Sequence, residues 1–303
     1  MSVAATDDRN VHAGRHGGLR EIASVWWFIV PGLVFYVAVT LVPAVSGAIQ
    51  AFNRWDGFST DIEFIGLENF RAMLDDRAVV TGLVNTLTIA FSITVLQNVL
   101  GLLLALGVNS RIKTRKILSA IFFAPAIVMP VVVAFLWQYL YSPFGVFSSI
   151  VESAGFASPD WLGDSRIALW SIIGVSIWQF AGYSMVIFLA GLQGIAPDIL
   201  EAAEIDGTSP LQKLFMIQLP MLAPVLLVNV ILSLIHGLKM FDLVWVMTQG
   251  GPGFATSTLS TLIFENAFAF NKVGYSNAIA LVLTIITLPV AYLQFRATSP
   301  KRR

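Results

Sequence analysis

The stretch EAAEIDGTSPLQKLFMIQLP, residues 201–220, is a polar interruption in a sequence that is apolar for most of its length. Acidic residues lie from Asp198 to Asp206. Pro197 suits the first position of a helix, where no backbone N–H is needed, and acids in the first turns are stabilised by the helix dipole. Gly207 can adopt the left-handed conformation that closes a helix. The stretch therefore predicts a short helix that ends at Gly207.

A second helix is predicted directly after this glycine. Ser209 is a suitable N-cap, and Pro210 then occupies the first helical position. We expect this helix to continue until Leu219 and Pro220, where the proline breaks it. The segment 196–220, called the 196–220 loop below, is thus predicted to be two short helices around a glycine turn.

The composition of the whole chain indicates a membrane protein. Its 303 residues are 56% hydrophobic and only 12% charged, whereas soluble domains average about 25% charged residues. The mean hydropathy is +0.78. Lys and Arg total 18 and Asp and Glu total 18, so net charge indicates no nucleic-acid partner. The absence of cysteine excludes disulfides, thiolate metal sites and cysteine nucleophiles.

Six stretches are long and apolar enough to cross a bilayer, which takes about 20 residues of helix. We therefore predict an all-α polytopic membrane protein with one domain of six transmembrane helices at 23–298. A mobile cytoplasmic tail is expected at 1–22 and a basic one at 299–303. The predicted spans are Val25–Ile49, Leu83–Val108, Ile117–Leu140, Ile167–Gln193, Met221–Met247 and Tyr275–Phe295.

Orientation follows from the basic residues beside the spans, which favour the cytoplasmic side. With both termini in the cytoplasm, twelve of the 18 Lys and Arg residues lie inside. Four of them belong to one short loop, NSRIKTRK at 109–116. We expect this topology, which places the 196–220 loop in the cytoplasm between spans four and five.

The first helix of this loop has the chemistry of a docking surface. Glu201 and Glu204 share one helical face at a spacing of three, while Ala202 and Ala203 allow another backbone to approach closely. The alternative is an amphipathic connector that lies on the lipid headgroups. Because acids match anionic inner-leaflet lipid poorly, a basic protein surface is the favoured partner.

The sequence excludes several kinds of chemistry. No P-loop pattern and no Gly-Lys dipeptide occur, so ATP and Mg²⁺ would be bound by another polypeptide. The three histidines lack metal-ligand spacing. The GGPG segment at 250–253 is interpreted as a tight turn. We therefore expect no enzyme activity and no cofactor bound by this chain.

Polar residues within the spans are candidates for a transport pathway. Lys239 and Asp242 lie at the outer end of span five, where they form either an interfacial ion pair or an outer gate near a substrate. Asn229 and Ser233 lie deeper in the same span and either contact substrate or bond to neighbouring helices. Amide and aromatic side chains that suit a sugar cluster in spans three and four, at Trp137, Gln138, Trp178, Gln179 and Tyr183.

The 196–220 loop resembles the EAA loop of permease subunits from binding-protein-dependent ABC importers. That pattern is EAA, three residues, G, nine residues, I, one residue, LP, and this chain matches it at every position. In that family the first helix of the loop is the coupling helix, which inserts into a cleft of the ATPase subunit. The resemblance implies an ATPase-coupling set of Glu201, Ala202, Ala203, Glu204, Asp206, Gly207, Ile217, Leu219 and Pro220.

Two further stretches resemble the carbohydrate-uptake branch, like the maltose and glycerol-3-phosphate importers. They are KMFDLVWVMTQGGPGFATSTL at 239–259 and FIGLENF at 64–70. The resemblance implies a multi-pass protein of the cytoplasmic inner membrane that translocates a sugar, polyol or glycerol phosphate. It also implies a second homologous permease, two ABC ATPase subunits and an extracytoplasmic binding protein as partners.

Two alternatives remain at this point. An ion-coupled secondary transporter of a small solute would have ion-liganding charges near the middle of the membrane, and no Asp, Glu, Lys or Arg falls in the middle of a predicted span. An intramembrane enzyme would have a nucleophile with its base, or paired carboxylates, within the spans. The spans contain no such constellation.

Overall fold

The computed structural model describes Trp27, residues 29–110 and residues 113–298. The predicted tails at 1–22 and 299–303, and the predicted start of the first span at Val25, lie outside these residues. The chain divides into two compact units, Met1–Ile49 and Gln50–Arg303. Each is described by itself.

The described part of the first unit belongs to one helix, α1 (Ile29–Gln50), which is span 1. Its side chains are mostly exposed and strongly apolar, as expected of a helix in lipid. A π turn at Val37–Leu41 precedes Pro43. This wider turn accommodates a proline, which has no N–H to donate, without ending the helix.

The second unit is helical apart from a small antiparallel pair of strands, β1 (Asn53–Arg54) and β2 (Glu63–Phe64). Its backbone also contains two π turns, Lys213–Gln218 and Glu265–Ala269. The helices are α2 (Glu68–Asp75), α3 (Arg77–Asn109), α4 (Arg115–Ile127), α5 (Pro130–Leu140), α6 (Val146–Ser153), α7 (Ala168–Gln193), α8 (Pro197–Ile205), α9 (Pro210–Gln212), α10 (Leu219–Leu238), α11 (Asp242–Thr248), α12 (Leu259–Phe264) and α13 (Val273–Thr298).

Within the described ranges, five helical segments are long and apolar enough to cross a membrane. Besides span 1 they are α3 (span 2), α7 (span 4), Pro210–Thr248 (span 5) and α13 (span 6). The prediction of an all-α, polytopic fold is confirmed.

The predicted span Ile117–Leu140 is a bent pair of helices rather than one continuous helix. Helices α4 and α5 are bent by 98° relative to each other, and we call this bent pair span 3. The break lies at Val128 and Met129, where the backbone is extended. Pro130 cannot donate the backbone hydrogen bond that would continue the preceding helix, and it starts a new helix instead.

Spans 2, 4 and 5 form the centre of the second unit. Spans 2 and 4 approach closely where Gly101 faces Ser184, and a Cβ at Gly237 of span 5 would lie 2.6 Å from the Cα of Ala90 in span 2. Large buried side chains such as Phe188 and Leu222 fill the space beside these contacts. The 196–220 loop therefore connects spans 4 and 5, which both pack tightly against span 2.

Candidate functional site

The first helix of the 196–220 loop has the predicted ends. Helix α8 begins at Pro197, and Gly207 follows it with a φ of +73°. The backbone N–H and the hydroxyl of Thr208 both donate to the carbonyl oxygen of Ala203, at 3.1 and 2.7 Å. Leu200 packs against the buried side chains at the ends of spans 4 and 5. The helix is thereby fixed to the membrane-spanning core.

The second half of the loop differs from the prediction. Ser209 caps α9 together with Gln212, each accepting a hydrogen bond from the other's backbone N–H, as its sequence suggests. The predicted break at Leu219 and Pro220 is wrong, however. A π turn at Lys213–Gln218 leads directly into α10, because the wider turn tolerates the missing N–H of Pro220. The second short helix is thus the beginning of span 5.

The surface that α8 presents is both acidic and apolar. Glu201 and Ala202 are exposed, as are Asp206 and Gly207, whereas Ala203 is buried. Ile205 is the most exposed apolar residue here, at 86%. The small face suggested by the two alanines is therefore provided by Ala202 alone, and Ile205 is a residue that the sequence analysis missed.

Glu204 is engaged within the loop itself. Its Oε1 lies 2.5 Å from Nζ of Lys213, at the start of the π turn. Lys213 is only 19% exposed, whereas Glu204 is 67% exposed. The ion pair connects α8 to the base of span 5, so this acid is not simply held ready for an external basic surface. Ile217 and Leu219 are half-buried in the same segment, and Pro220 is exposed.

A cavity of about 240 Å³, called the span 5 cavity, lies at the other end of span 5. Lys239 and Asp242 line it, as proposed for an outer gate. Their charged groups do not form an ion pair. The backbone reason is that Lys239 ends α10 and Asp242 begins α11, so the two residues are not on one continuous helix.

The remaining walls of the span 5 cavity were missed by the sequence analysis. They comprise Phe180 of span 4, Pro130 at the break of span 3, and His236 and Phe241 of span 5. The rings of Phe180 and His236 lie 4.5 Å apart. In the sequence these residues resemble ordinary apolar packing.

The predicted aromatic and amide cluster is not assembled around this cavity. Trp137 is buried and contacts Trp178 edge-on at 5.2 Å. Trp178 and Tyr183 are 42% exposed, and Gln138 is exposed as well. These three residues therefore lie on the surface of the chain.

Gln179 is completely buried and has a structural partner. Its Nε2 donates to the carbonyl oxygen of Val128 at 3.0 Å, at the break of span 3. A broken helix leaves carbonyl groups without their usual N–H donors, and such groups in a membrane are satisfied by neighbouring side chains. Gln179 thus supports the break that opens the span 5 cavity.

Asn229 and Ser233 belong to a buried hydrogen-bond network between spans 2, 4 and 5. Nδ2 of Asn229 donates to Oδ1 of Asn98 at 2.8 Å, and Nδ2 of Asn98 donates to the Ser233 hydroxyl at 2.8 Å. Gln97 donates to the hydroxyl of Ser184, also at 2.8 Å. Of the two readings of Asn229 and Ser233, helix-to-helix bonding is the one that the structure shows.

The GGPG segment is a turn, as interpreted from the sequence. Gly250 and Gly253 have positive φ values of 84° and 52°. Asn85 of span 2 holds the following residues by donating to the carbonyl oxygens of Ala255 and Ser257, at 3.0 and 2.9 Å. Within the described ranges, no group of three or more His, Asp or Glu side chains could hold a metal ion.

Comparison with known proteins connects this geometry to a family. Residues 97–299, which include the whole 196–220 loop, match the family described as binding-protein-dependent transport system inner membrane component. The chain belongs to this family. Like the other members, it is a multi-pass membrane permease component, and the alternative of an ion-coupled secondary transporter is not supported.

Curated relatives of this permease align over nearly its full length. It is 32% identical over 283 residues to the multiple sugar-binding transport system permease protein MsmF of Streptococcus mutans, covering 92% of this chain and 97% of that protein. It is also 32% identical over 278 residues to the trehalose/maltose transport system permease protein MalF of Thermococcus litoralis, with coverages of 91% and 94%.

A solved structure has the same fold as this permease. One chain of a bacterial alginate ABC transporter, crystallised in complex with an alginate pentasaccharide-bound periplasmic protein, superposes with a TM-score of 0.80. The identity is 21%, and the match covers 92% of this chain and 94% of that chain. The likeness concerns the fold.

Proposed function

We propose that this permease translocates a sugar, or a related polyol or glycerol phosphate, through the cytoplasmic membrane as one subunit of an ATP-driven importer. The substrate class is supported by the two curated relatives, which are both sugar transport permeases. The observation that carries the proposal is the exposed helix α8, fixed to the ends of spans 4 and 5.

Helix α8 would be the coupling element. Two ATPase subunits would bind ATP and Mg²⁺, and a cleft of one of them would receive Glu201, Ala202 and Ile205 of this chain. The Glu204–Lys213 pair, with the packing of Leu200, transmits a push on α8 to spans 4 and 5. Since those spans bond to span 2 through the buried network, the three helices would tilt together.

The span 5 cavity would be this chain's share of the substrate pathway. Phe180 and Phe241 provide apolar ring faces, and Lys239 and Asp242 provide charged groups for hydroxyls. Its volume of about 240 Å³ is below the roughly 300–1,000 Å³ of typical ligand pockets. A second, homologous permease would complete the wall, in agreement with the exposed Trp178 and Tyr183.

The orientation of the chain in the membrane determines the remaining features of the proposed importer. The distribution of basic residues favours a cytoplasmic position for the 196–220 loop. The opposite ends of the spans, with the segment 51–76 and the GGPG turn, would then face an extracytoplasmic binding protein that delivers substrate. The direction of transport would be inward.

Reconstitution of the complex in lipid vesicles tests the proposal. We expect uptake of a labelled sugar such as maltose or trehalose to need two components. One is ATP on the side of the membrane that carries the 196–220 loop, and the other is the binding protein. Vesicles with this chain and the second permease, but without the ATPases, are the control. Uptake by that control, driven by an ion gradient and unaffected by ATP, would contradict the proposal.

A further inference from the structure

A second cavity, of about 440 Å³, lies at the ends of spans 2 and 6 and shares no lining residue with the span 5 cavity. Its walls come from the strand β1 region, helix α2 and the segment that leads into span 6. We call it the loop pocket. Its size falls within the range of about 300–1,000 Å³ that small-molecule sites occupy, without any contribution from another subunit.

The walls of the loop pocket are fixed by hydrogen bonds between segments distant in sequence. Asn69 donates from Nδ2 to the carbonyl oxygens of Ala51 and Asn53, at 2.9 and 3.0 Å. The N–H of Gly274 donates to the carbonyl oxygen of Trp55 at 3.0 Å. A side chain at Gly274 would collide with the carbonyl oxygen of Asn53. The pocket is therefore formed before any ligand arrives.

Aromatic rings provide one part of its lining. Trp55 donates its indole N–H to the carbonyl oxygen of Ser59 at 2.8 Å, which uses its polar group and leaves the ring for apolar contact. Tyr275 donates its hydroxyl to Oδ2 of Asp76 at 2.9 Å. The Tyr275 oxygen retains its capacity to accept a hydrogen bond.

Polar groups that can form further hydrogen bonds provide the rest of the lining. Asp56 accepts three hydrogen bonds from Phe58 and Ser59, all at Oδ1. Hydrogen bonds from the backbone N–H groups of Ser59 and Phe58 lower the pKa of Asp56, so it is ionised at neutral pH and Oδ2 can accept. Asn69 is largely buried, yet within the described part of the chain its Oδ1 accepts no hydrogen bond.

Hydrogen-bond donors line the same pocket. Lys272 lines the pocket and forms no ion pair with any described residue, and its neighbour Asn271 presents an exposed amide. Arg54 and Asp76 complete the lining. Both are already engaged, because Arg54 pairs with Glu63 and Glu68 at 2.9 and 2.6 Å and Asp76 accepts from the Tyr275 hydroxyl. The charged groups that remain for a ligand are the Asp56 carboxylate and the Lys272 ammonium, so a neutral ligand with hydroxyl groups that both donate and accept is favoured over an anion or a cation.

We propose that the loop pocket binds one unit of a neutral saccharide, as a second sugar subsite separate from the membrane pathway. Trp55 would contact the apolar face of the sugar ring, and Asp56, Asn69 and Lys272 would bond to its hydroxyls. The saccharide class rests on the proposed function, and the pocket geometry is independent of it. In the proposed orientation the subsite lies on the extracytoplasmic side, where substrate arrives.

Saturation-transfer NMR on the permease complex in lipid nanodiscs, without binding protein, tests the proposal with maltose as the probe. We expect Trp55→Ala and Asp56→Asn each to weaken maltose binding about tenfold. Asp56→Asn keeps the oxygen that caps the loop, so it preserves the fold if the tryptophan variant does not. Asp61→Asn, an exposed acid of the same segment that does not line the pocket, is the matched control and should bind as the unmodified chain does.

Three results would overturn the subsite. The first is a maltose signal that Asp56→Asn leaves unchanged, and the second is a signal that is lost in Lys239→Met of the span 5 cavity instead. The third is the absence of any saccharide signal from the loop pocket together with loss of binding-protein retention in the Asp56 and Trp55 variants. That result would make the pocket a protein-docking site. ATP-driven uptake measured in parallel in vesicles separates these failures from failure of the proposed function, since uptake can persist without the subsite.

Discussion

The side-chain amide of Gln179 in span 4 donates a hydrogen bond to the carbonyl oxygen of Val128, where span 3 breaks, at 3.0 Å. This contact joins a buried polar residue to a bend of 98°. The bend in turn places Pro130 on the wall of the span 5 cavity. Gln179, which the sequence suggests as a sugar ligand, therefore influences the cavity by supporting the broken backbone of span 3.

Replacement of this glutamine should weaken the break of span 3. In Gln179→Leu the Val128 carbonyl loses its donor, and an unsatisfied acceptor costs about 1–3 kcal/mol. We expect a lower thermal unfolding temperature in detergent and a reduced rate of ATP-driven uptake. Gln138→Leu, at an exposed position of α5, is the control. Equal stability of the two variants would show that the contact has no structural role.

The network between spans 2, 4 and 5 should behave as one unit. Asn98→Leu removes the acceptor of the Asn229 amide N–H and the amide donor to the Ser233 hydroxyl, with an expected cost of about 1–3 kcal/mol. The double variant Asn98→Leu/Asn229→Leu should cost less than the sum of the single changes. Thr88→Val removes an exposed hydrogen bond within span 2 and should have little effect. Thermal unfolding of the two single variants, the double variant and the Thr88→Val control, each compared with the unmodified chain, checks this. Additive losses of stability would contradict it.

The crossing of spans 3 and 4 should tolerate no side chain at Gly182. A Cβ at this position would collide with the carbonyl oxygen of Phe122, and overpacking of this kind costs about 1–3 kcal/mol or more. A Cβ at Gly174 in the same span meets no atom within 4 Å, so Gly174→Val is a matched control. We expect Gly182→Val alone to lower the yield of folded protein in size-exclusion chromatography. Comparable yields would mean that the helices can separate at this crossing.

Charge reversal on α8 should uncouple transport from ATP hydrolysis. Glu201 is exposed beside Ala202, so Glu201→Lys should leave expression and topology intact. We expect substrate-stimulated ATP hydrolysis in the reconstituted complex to fall several-fold. Glu152→Lys in α6, at the opposite end of the spans, is the control. Stimulated hydrolysis at the unmodified level would refute a role for Glu201 in docking.

Ile205 should be an apolar anchor of the same surface. Apolar side chains that enter a partner's pocket contribute much of an interface's binding energy, and this one is 86% exposed in the isolated chain. Ile205→Asp should weaken association with the ATPase, measured by co-purification, whereas Ile205→Val should retain it. Intact co-purification of the aspartate variant would place the interface elsewhere.

Local chemistry made the 196–220 loop partly predictable. The proline at position 197, the glycine at 207 and the serine cap at 209 act within a few residues, and all three have their predicted roles. The continuity of the helix through Pro220 was not predictable from such rules. A π turn is stable there because the helix goes on into a buried span, which a local pattern does not contain.

The substrate pathway was less predictable, because burial of a polar residue does not reveal its partner. Lys239 and Asp242 line the span 5 cavity, whereas Asn229 and Ser233 bond to neighbouring helices. The aromatic rings of Phe180 and Phe241 gave no sign of their position, since lipid-facing, core and cavity phenylalanines have the same pattern in a sequence.

The sequence by itself determined the membrane-spanning class, the number of apolar segments, and the position and ends of helix α8, because hydrophobic length and helix capping are properties of short stretches. Only the tertiary structure decided which face each polar side chain meets. That choice paired Glu204 with Lys213, placed Gln179 against the break of span 3, and left a cavity beside Lys239 and a separate pocket beside Trp55. The physical reason is that each of these features depends on the approach of segments far apart in the chain, which no local pattern encodes.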